Sequence, residues 1–375
     1  MTQSFRLGDL CHLVRGESPT LKTEVGAYPL VVTAAYRRTS STYQLEGPTV
    51  CIPLVSSTGH GDAALHRIHY QDGKFALADL LVALQTKDNQ RCDAKYLYYL
   101  LLAKKDSLFV PLMKGTANVS LKERDIANVH VSLPSLAKQK QVVEYLDELS
   151  LKIQAANTRL NEIGEHFQGM LLSAYNRIVR DADRHRLGDV APLVRRPVLV
   201  DPFTEYPGVS VRSFGKGTFH NPPLQGCDIT WERPQLVHAG DILISNIKAW
   251  EGAIAVAKPE DDSRYGSHRY LTYVPLSGVA TSRFICFFLL TSEGLHHVGQ
   301  ASPGSADRNR TTSAKVLLEV PTPVPAYKEQ IWFGELFEKV EAARELLTAA
   351  AAETQALLPA IINQIFNQQE SGGGQ

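Results

Sequence analysis

One short segment of the chain has the residue types of a group-transfer site. Asn221-Pro222-Pro223-Leu224 comes close to an Asn-Pro-Pro-aromatic loop, which can hold the amine of an adenine while the aromatic ring stacks on the flipped base. Leu224 stands where the aromatic residue would be. The sequence also lacks a glycine-rich strand-to-helix turn that would cradle a methyl donor. A turn is therefore the better interpretation of these four residues, and we predict no catalytic residue here or elsewhere.

A second candidate is the segment Phe214-Gly215-Lys216-Gly217-Thr218-Phe219-His220. Its single Gly-x-Gly lacks the spacing of a dinucleotide fingerprint or of a Walker loop. A tight basic loop with flanking aromatic residues instead suits close approach to a nucleic-acid backbone.

Basic residues are concentrated in several other short segments near aromatic residues and turns. Each cluster taken alone is most simply a solvated surface. As a set they fit a nucleic-acid face, because Arg and Lys bind phosphates or guanine and Asn pairs with adenine. The predicted contacts are Arg37, Lys114 and Lys122 in the first half of the chain, and Lys216, His220, Arg269, Arg308, Asn309 and Arg310 in the second.

Length and composition predict a folded, two-domain protein. A chain of 375 residues is too long for one ordinary core, and 44% hydrophobic with 21% charged residues is typical of a soluble globular protein. Lys+Arg and Asp+Glu both number 39. This balance argues against a protein that coats nucleic acid through bulk charge, and it leaves room for a local basic face.

The cysteines and the N-terminus bear on the compartment. The five cysteines are scattered without a Cys-x-x-Cys pair, which predicts free thiols and neither a metal site nor a disulfide framework. The N-terminus lacks the pattern of a signal peptide, and the sequence has no apolar run of ~18 residues. We expect a cytoplasmic protein with no membrane partner.

The elements that would position these residues are written twice. Arg6-Leu7-Gly8-Asp9 returns as Arg186-Leu187-Gly188-Asp189, and Leu13-Val14-Arg15 returns as Leu193-Val194-Arg195 at the same offset. Ordered matches continue at slowly growing offsets, which predicts a tandem duplication. They pair Gly115 with Gly304, and Pro134, Gln139, Glu144, Tyr175 and Asn176 with Pro325, Gln330, Glu335, Phe366 and Asn367.

Each repeat ends in a long helical segment with an apolar seam. From Val142 to Ala174, through Met170, apolar residues follow alternating steps of four and three, the pattern that winds helices around one another. The second segment repeats this pattern with two exceptions. Upstream prolines suit helix starts, whereas Pro359 predicts a kink or local break. The predicted seam comprises Leu149, Ile153, Leu160, Ile163, Phe167, Val340, Leu347, Leu358 and Ile361.

These patterns predict an α+β fold with a pseudo-twofold internal repeat. Two tandem mixed α/β domains would be separated by two long helices that pair as an antiparallel coiled coil. Strands are predicted at Val50–Val55 and Asp241–Ser245, and buried helices at Tyr96–Leu101 and Phe284–Leu290. The predicted segments are a first domain at 1–135, a first helix at 136–180, a polar join at 181–185, a second domain at 186–325, a second helix at 326–368 and a disordered tail at 369–375.

We call the two predicted globular domains, residues 1–135 and 186–325, the first and second heads. The order of head, helix, head and helix resembles the specificity subunit of a type I restriction-modification system. The resemblance covers residues 6–368, and it rests on the order of the motifs more than on any single one. Besides the repeated Arg-Leu-Gly-Asp opening, the motifs are Gly115–Asn118, Gly240–Ser245, Trp250–Ala253, Gly266–Arg269, Ser302–Ala306 running into Arg308-Asn309-Arg310, and Pro323 with Pro325.

The resemblance implies a division of labour. Each head would read one half of a split sequence in double-stranded DNA, and the paired helices would set the spacing and dock the partners. Two modification subunits would bind S-adenosylmethionine and methylate adenine, and restriction subunits, where present, would use ATP and Mg. This chain would bind no cofactor or metal and would not be an enzyme. Half-sites ~34–36 Å apart lie within reach of a helix of roughly 60 Å.

Two other function classes remain open at this point. A coiled-coil adaptor that binds only protein would show no salt-dependent affinity for DNA in complex with any partner. A catalytic adenine methyltransferase that uses Asn221–Leu224 would bind S-adenosylmethionine on its own.

Overall fold

The computed structural model describes residues 3–58, 62–116, 119–229, 233–304 and 310–371. The predicted contacts Arg308 and Asn309 lie outside the described residues. The chain forms two compact units, residues 1–161 with 348–375 and residues 162–347. These units differ from the predicted segments, because each long helix contributes one part to each unit.

The first repeat has ten strands and four α-helices among its described residues. The strands form sheets with the orders β1-β10, β2-β9-β6-β7 and β4-β3-β8-β5. In chain order the elements are β1 (Gln3–Arg6), α1 (Leu7–Leu10), β2 (Cys11–Arg15), β3 (Tyr28–Val31), β4 (Arg38–Ser40), β5 (Leu45–Glu46), β6 (Thr49–Pro53), β7 (His69–Gln71), β8 (Lys74–Leu77), β9 (Leu81–Thr86), α2 (Ala94–Leu108), α3 (Glu123–Ala127), β10 (His130–Leu133) and α4 (Leu136–Val179).

The second repeat follows the same plan. Its sheets have the orders β11-β20, β12-β19-β16-β17 and β14-β13-β18-β15. The elements are β11 (Arg184–Arg186), α5 (Leu187–Val190), β12 (Leu193–Val194), β13 (Glu205–Val211), β14 (Thr218–Gln225), β15 (Gln235–Val237), β16 (Ile242–Ser245), β17 (Ile254–Val256), β18 (Arg264–Gly266), β19 (Tyr270–Tyr273), α6 (Ser282–Leu290), α7 (Ser292–Gln300), α8 (Ala314–Leu318), β20 (Pro321–Pro323) and α9 (Tyr327–Ser371).

The predicted duplication is confirmed by the topology. Every strand pair of the first repeat returns in the second with ten added to each strand number, including the parallel pair β3–β8, which returns as β13–β18. The backbone matches in detail as well. Gly115 and Gly304, which the sequence pairs, have φ angles of 138° and 137°, a region that side chains rarely adopt.

The predicted strands and buried helices are present as β6, β16, α2 and α6, but the predicted turn at Asn221–Leu224 is wrong. These residues lie in β14, at the edge of its sheet. The register shifts between Tyr206 and Gly208 on the partner strand. An edge strand tolerates two successive prolines, because the side facing solvent needs no backbone donor. The predicted polar join likewise runs into β11, which begins at Arg184.

Each repeat buries its central sheet on both faces. In β6, Val50 and Ile52 belong to the main core, and Cys51 between them belongs to a second core against the neighbouring sheet. The strand β16 repeats this alternation. The main core of the first unit also contains Val142 of α4 and Ile362 of α9. Both long helices therefore contribute side chains to this core.

The long helices run antiparallel within each unit. In the second unit Gln168 accepts a hydrogen bond of 2.6 Å from Arg344, and Arg177 lies 4.8 Å over the ring of Trp332. As the numbers on α4 rise, those on α9 therefore fall. In the first unit the beginning of α4 shares its core with the end of α9, again the antiparallel direction.

The seam on α4 changes phase near its middle. Ile163 was predicted to lie in the seam, but it is 40% exposed, and Met170 is 42% exposed. Gly164 is half-buried and Leu171 fully buried in their place. At these two positions the buried stripe lies one residue further along the helix, whereas Phe167 between them stays half-buried. The other predicted seam residues are buried or half-buried.

The second long helix is continuous. It runs through Pro359, so the predicted local break is wrong. It also continues to Ser371, inside the segment that was predicted to be a tail, and residues 372–375 lie outside the described part of the chain. No helix of the described residues is long and apolar enough to cross a membrane.

Candidate nucleic-acid interface

Three segments of the second repeat meet beside its central sheet. The residue that follows β16, Asn246, donates its backbone N–H to the carbonyl of Arg269, in the turn between β18 and β19, at 3.0 Å. The same residue accepts a backbone hydrogen bond of 2.6 Å from Thr312, which precedes α8. We call this meeting point, held by Asn246, Arg269 and Thr312, the three-loop junction.

The first repeat contains the same junction with different side chains. Leu54 follows β6, donates its N–H to the carbonyl of Leu80 at 2.8 Å and accepts from the N–H of Leu121 at 2.8 Å. The backbone connections are therefore duplicated. An arginine in the second head corresponds to a leucine in the first.

Two basic side chains lie against the ring of Trp250 in the second head. Lys248 Nζ lies 5.2 Å and the Arg310 guanidinium 4.7 Å from its ring, both within the range of cation–π attraction. Lys248 also donates to the carboxylate of Glu251 at 2.7 Å, and Arg310 Nε donates to the carbonyl of Gly304 at 3.0 Å. Sequence reasoning chose Arg310 and missed Lys248 and Trp250, although Trp250 opens one of the quoted motifs.

We call Trp250 with Lys248 and Arg310 the Trp250 cluster. The glycine-containing loop 212–217 is hydrogen-bonded to the segment that bears Trp250. Phe214 donates its N–H to the carbonyl of Glu251, and Gly215 donates to the carbonyl of Gly252, both at 2.8 Å. Lys216 is exposed, with its Nζ 5.8 Å from the Phe214 ring. Lys216 and Arg310 are thus linked through the segment 248–252.

The turn that bears Arg269 is braced by another arginine. Arg195 donates to the carbonyls of His268 at 3.3 Å and Tyr270 at 2.8 Å. Arg269 itself is exposed. Its backbone N–H donates to Ser267 Oγ at 3.3 Å, and its guanidinium makes no hydrogen bond within the described residues. The structure therefore gathers three of the predicted contacts of the second head, Lys216, Arg269 and Arg310, around one set of loops.

His220 has a partner inside the protein. Its Nε2 lies 2.8 Å from the fully buried carboxylate of Asp261, which also accepts from Thr218 Oγ1 at 2.7 Å and from the Lys258 N–H at 2.8 Å. Burial raises the pKa of Asp261, but these hydrogen bonds outweigh it and hold the pKa below its usual value. Only the Nδ1 edge of His220 is left for a DNA contact.

Arg37 is hydrogen-bonded within the first head. Its guanidinium is half-buried and donates to Gln71 Oε1 at 3.1 Å, to the carbonyl of Tyr70 at 3.2 Å and to His69 Nδ1 at 3.2 Å. Burial lowers the pKa of Arg37. Three of its five N–H donors are turned toward β7, so this side chain braces the loop that precedes β4, and its predicted DNA contact stays a prediction.

The two lysines predicted in the first head lie beside its junction. Lys114 and Ser120 exchange backbone hydrogen bonds of 2.9 Å across a tight loop, and Ser56 donates its N–H to the carbonyl of Val119 at 3.0 Å. Both Lys114 and Lys122 are exposed, and Lys122 is the residue that precedes α3. Their position corresponds to that of the cationic loops in the second head.

Other chemistry finds little support in the described residues. They contain no group of three or more His, Cys, Asp or Glu side chains that could hold a metal ion. Asn221 lies in the strand β14, and its side-chain amide donates to Ser210 Oγ at 2.7 Å.

One family model matches the first part of the chain. Residues 2–165 match the family model of the type I restriction modification DNA specificity domain. This part of the chain is similar to that domain family. The matched range covers the first head and part of α4. The second head lies outside the matched range, and it has the same strand order as the first.

The chain is also similar to known proteins over most of its length. It is 21% identical over 371 residues to the type I restriction enzyme MjaVIII specificity subunit of Methanocaldococcus jannaschii, covering 90% of this chain and 85% of that protein. A solved structure from a study of complex assembly and conformational transition of a type I restriction-modification system is 16% identical, covers 97% of both chains and has a TM-score of 0.65.

Two further solved structures share the fold. The S subunit of a type I system from M. genitalium is 13% identical, covers 98% of this chain and 96% of its own, and has a TM-score of 0.51. The HsdS subunit from Thermoanaerobacter tengcongensis is 16% identical, covers the same shares and has a TM-score of 0.53. The fold of this chain is therefore shared with these solved structures.

Proposed function

We propose that this chain is the DNA-recognition subunit of a type I restriction-modification complex, that it reads a bipartite target, and that it directs adenine methylation and restriction by its partners. The observation that carries the proposal is the duplicated three-loop junction. Both copies have the same backbone hydrogen bonds, yet Leu54 and Leu80 correspond to Asn246 and Arg269. A shared scaffold with different side chains suits two half-sites of different sequence, because side chains that reach base edges carry the specificity.

The long helices suit the role of a spacer. They contain 44 and 45 residues, about 66 Å at 1.5 Å per residue. Half-sites read from one face of B-DNA lie ~34–36 Å apart. In this proposal the helices also dock two modification subunits, which supply S-adenosylmethionine, while ATP and Mg belong to the restriction subunits. The chain itself is then not an enzyme.

Mapping of methylated adenines tests the proposal. The chain is co-expressed with two copies of a modification subunit, and the DNA is sequenced for methylated positions. We expect one motif with two different halves and a fixed gap. Absence of salt-dependent DNA binding with any partner would favour a protein-binding adaptor. Tight binding of S-adenosylmethionine by the chain alone, abolished in Asn221→Ala, would favour a methyltransferase.

A further inference from the structure

The two heads present an exposed aromatic ring on corresponding loops. The loop 32–37 joins β3 to β4, and the loop 212–217 joins β13 to β14, which is the same connection in the duplicated topology. Tyr36 on the first loop is 67% exposed, and Phe214 on the second is 72% exposed. The sequences of the two loops differ, so the exposed ring is retained at this connection without a shared motif.

Phe214 is presented in a strained backbone conformation. Its φ angle is +63°, in the left-handed region that bulky residues avoid, and Gly215 and Gly217 beside it have φ angles of 64° and 76°. Glycine would fit this position without strain. Because the ring is mostly exposed, it gains little free energy from burial that could offset the backbone strain. Strain of this kind at an exposed side chain suggests a partner outside the chain.

Three hydrogen bonds anchor the loop to Glu251 and Gly252. Phe214 and Gly215 are fastened through their N–H groups to the carbonyls of Glu251 and Gly252. Ser213 Oγ donates to the Glu251 carboxylate at 2.9 Å. The hydrogen bond from Lys248 holds the pKa of Glu251 below its usual value, which keeps this anchor charged.

The corresponding loop of the first head is anchored to the corresponding strand. Arg37, the neighbour of Tyr36, donates to groups of β7. In the second head the anchor is Glu251 and Gly252, which lie just before β17, the strand that corresponds to β7. Each loop is thus tied to the same part of its head, by a side chain in one case and by backbone in the other.

The surroundings of Phe214 favour a polyanion as the partner. Lys216 lies near its ring, and the Trp250 cluster with Lys248 and Arg310 is joined to the same loop. An apolar ring among cations is the arrangement that stacks on bases while neighbouring charges hold phosphates. Side chains such as Phe also act as wedges between base steps.

We propose that Phe214 and Tyr36 are the base-stacking residues of the two heads, each inserting its ring into the base stack of its own half-site. This inference rests on the proposed function. A methyltransferase must take its target base out of the duplex. A wedge that unstacks the neighbouring step in each half-site lowers the cost of that step, and two copies serve two half-sites.

The test uses the complex with modification subunits and DNA that carries 2-aminopurine in one half-site at a time. Binding of the wild type should raise the fluorescence, because the base is unstacked. Phe214→Ala should abolish the rise in the second half-site only and weaken binding roughly 10- to 100-fold, as loss of one base–aromatic stack does. The salt dependence of binding should not change, since no charge is removed.

Matched variants separate stacking from other effects. Phe214→Trp should restore the signal, and Phe214→Gly, which suits the left-handed backbone, should behave like Phe214→Ala while remaining folded. Phe203 is 91% exposed in the same unit, so Phe203→Ala should change neither fluorescence nor affinity. Tyr36→Ala should abolish the rise in the first half-site only.

Each outcome has a distinct meaning. If the wild-type complex binds no specific sequence, the proposed function fails and the wedge fails with it. If the wild type binds specifically and Phe214→Ala keeps the fluorescence rise, the wedge alone is overturned. If Phe214→Ala weakens assembly with the modification subunits but leaves the DNA affinity of the assembled complex intact, the ring docks protein and the inference is wrong.

Discussion

Gln139 and Gln330 are both fully buried and make the same three hydrogen bonds, one set in each unit. Gln139 Oε1 accepts from the N–H of Asp93 at 2.9 Å, and its Nε2 donates to the carbonyls of Arg91 at 2.9 Å and Pro134 at 3.0 Å. Asp93 caps α2, so one amide joins the first turn of α4 to the start of the core helix.

Gln330 repeats the arrangement in the second unit. Its Oε1 accepts from the N–H of Thr281, the capping residue of α6, at 3.0 Å. Its Nε2 donates to the carbonyls of Val279 at 3.0 Å and Pro325 at 2.9 Å. The start of each long helix is therefore fixed against its head by the same contact.

Replacement of either glutamine should loosen its own unit. Gln139→Leu leaves one donor and two acceptors buried without partners, which should cost roughly 2–3 kcal/mol in the free energy of unfolding. Amide hydrogen exchange should quicken at Asp93 in this variant and at Thr281 in Gln330→Leu. The exposed Gln141→Leu serves as the control. Exchange that quickens equally at both sites in either variant would contradict the local role.

The phase of the helix seam can be tested with neighbouring residues. Leu171 is 0% exposed and Met170 is 42% exposed. Leu171→Asp buries an unpaired carboxylate and should cost roughly 3–5 kcal/mol, whereas Met170→Asp should cost less than about 1 kcal/mol. Urea denaturation measures both. Equal losses would show that the stripe continues in its original phase.

His69 should make the stability of the first unit depend on pH. Burial, with a further contribution from Arg37, lowers the pKa of His69 from 6.5 to about 4. Because the unfolded state binds the proton first, stability from the neutral ring is complete above pH ~6.5 and is lost as the pH falls toward 4. The slope should reach ~1.4 kcal/mol per pH unit. In His69→Gln the free energy of unfolding should vary less steeply over this range, and an unchanged slope would contradict the assignment.

Arg269 and Leu80 occupy corresponding positions, so they form a matched pair. Arg269→Ala should weaken DNA binding by ~1–3 kcal/mol and relax the sequence of the second half-site. It should also reduce the salt slope, since a cation is lost. Leu80→Ala should affect only the first half-site and leave the salt slope unchanged. Methylation mapping and binding at several salt concentrations measure both effects. A change in the gap between half-sites would show that these loops do more than read bases.

The long helices should set that gap. Insertion of four residues after Ala155 adds about one turn, ~6 Å, and keeps the apolar stripe roughly in phase. Since base pairs of DNA are spaced ~3.4 Å apart, the spacer should grow by one or two base pairs while the half-sites stay the same. Methylation mapping decides the outcome. Altered half-sites with an unchanged gap would mean that the roles of heads and helices are reversed.

The sequence by itself determined the duplicated plan and the kinds of element in it. The pairing of Gln139 with Gln330 and of Gly115 with Gly304 could be recognised without coordinates, because each pair stands in an ordered series of matches. Strands such as β6 and helices such as α2 were also predictable, since their patterns depend on residues near in sequence.

Tertiary structure alone decided which residues of these elements face inward and which meet. Ile163 and Met170 stand at the heptad spacing as Gly164 and Leu171 do, so only tertiary packing decides which pair is buried. Arg37 turns inward because acceptors on β7 surround it. Trp250 and Arg310 are distant in sequence, and their contact exists because backbone hydrogen bonds bring their loops together at the junction. Local pattern cannot encode such a meeting, since it depends on how separate segments fold onto one sheet.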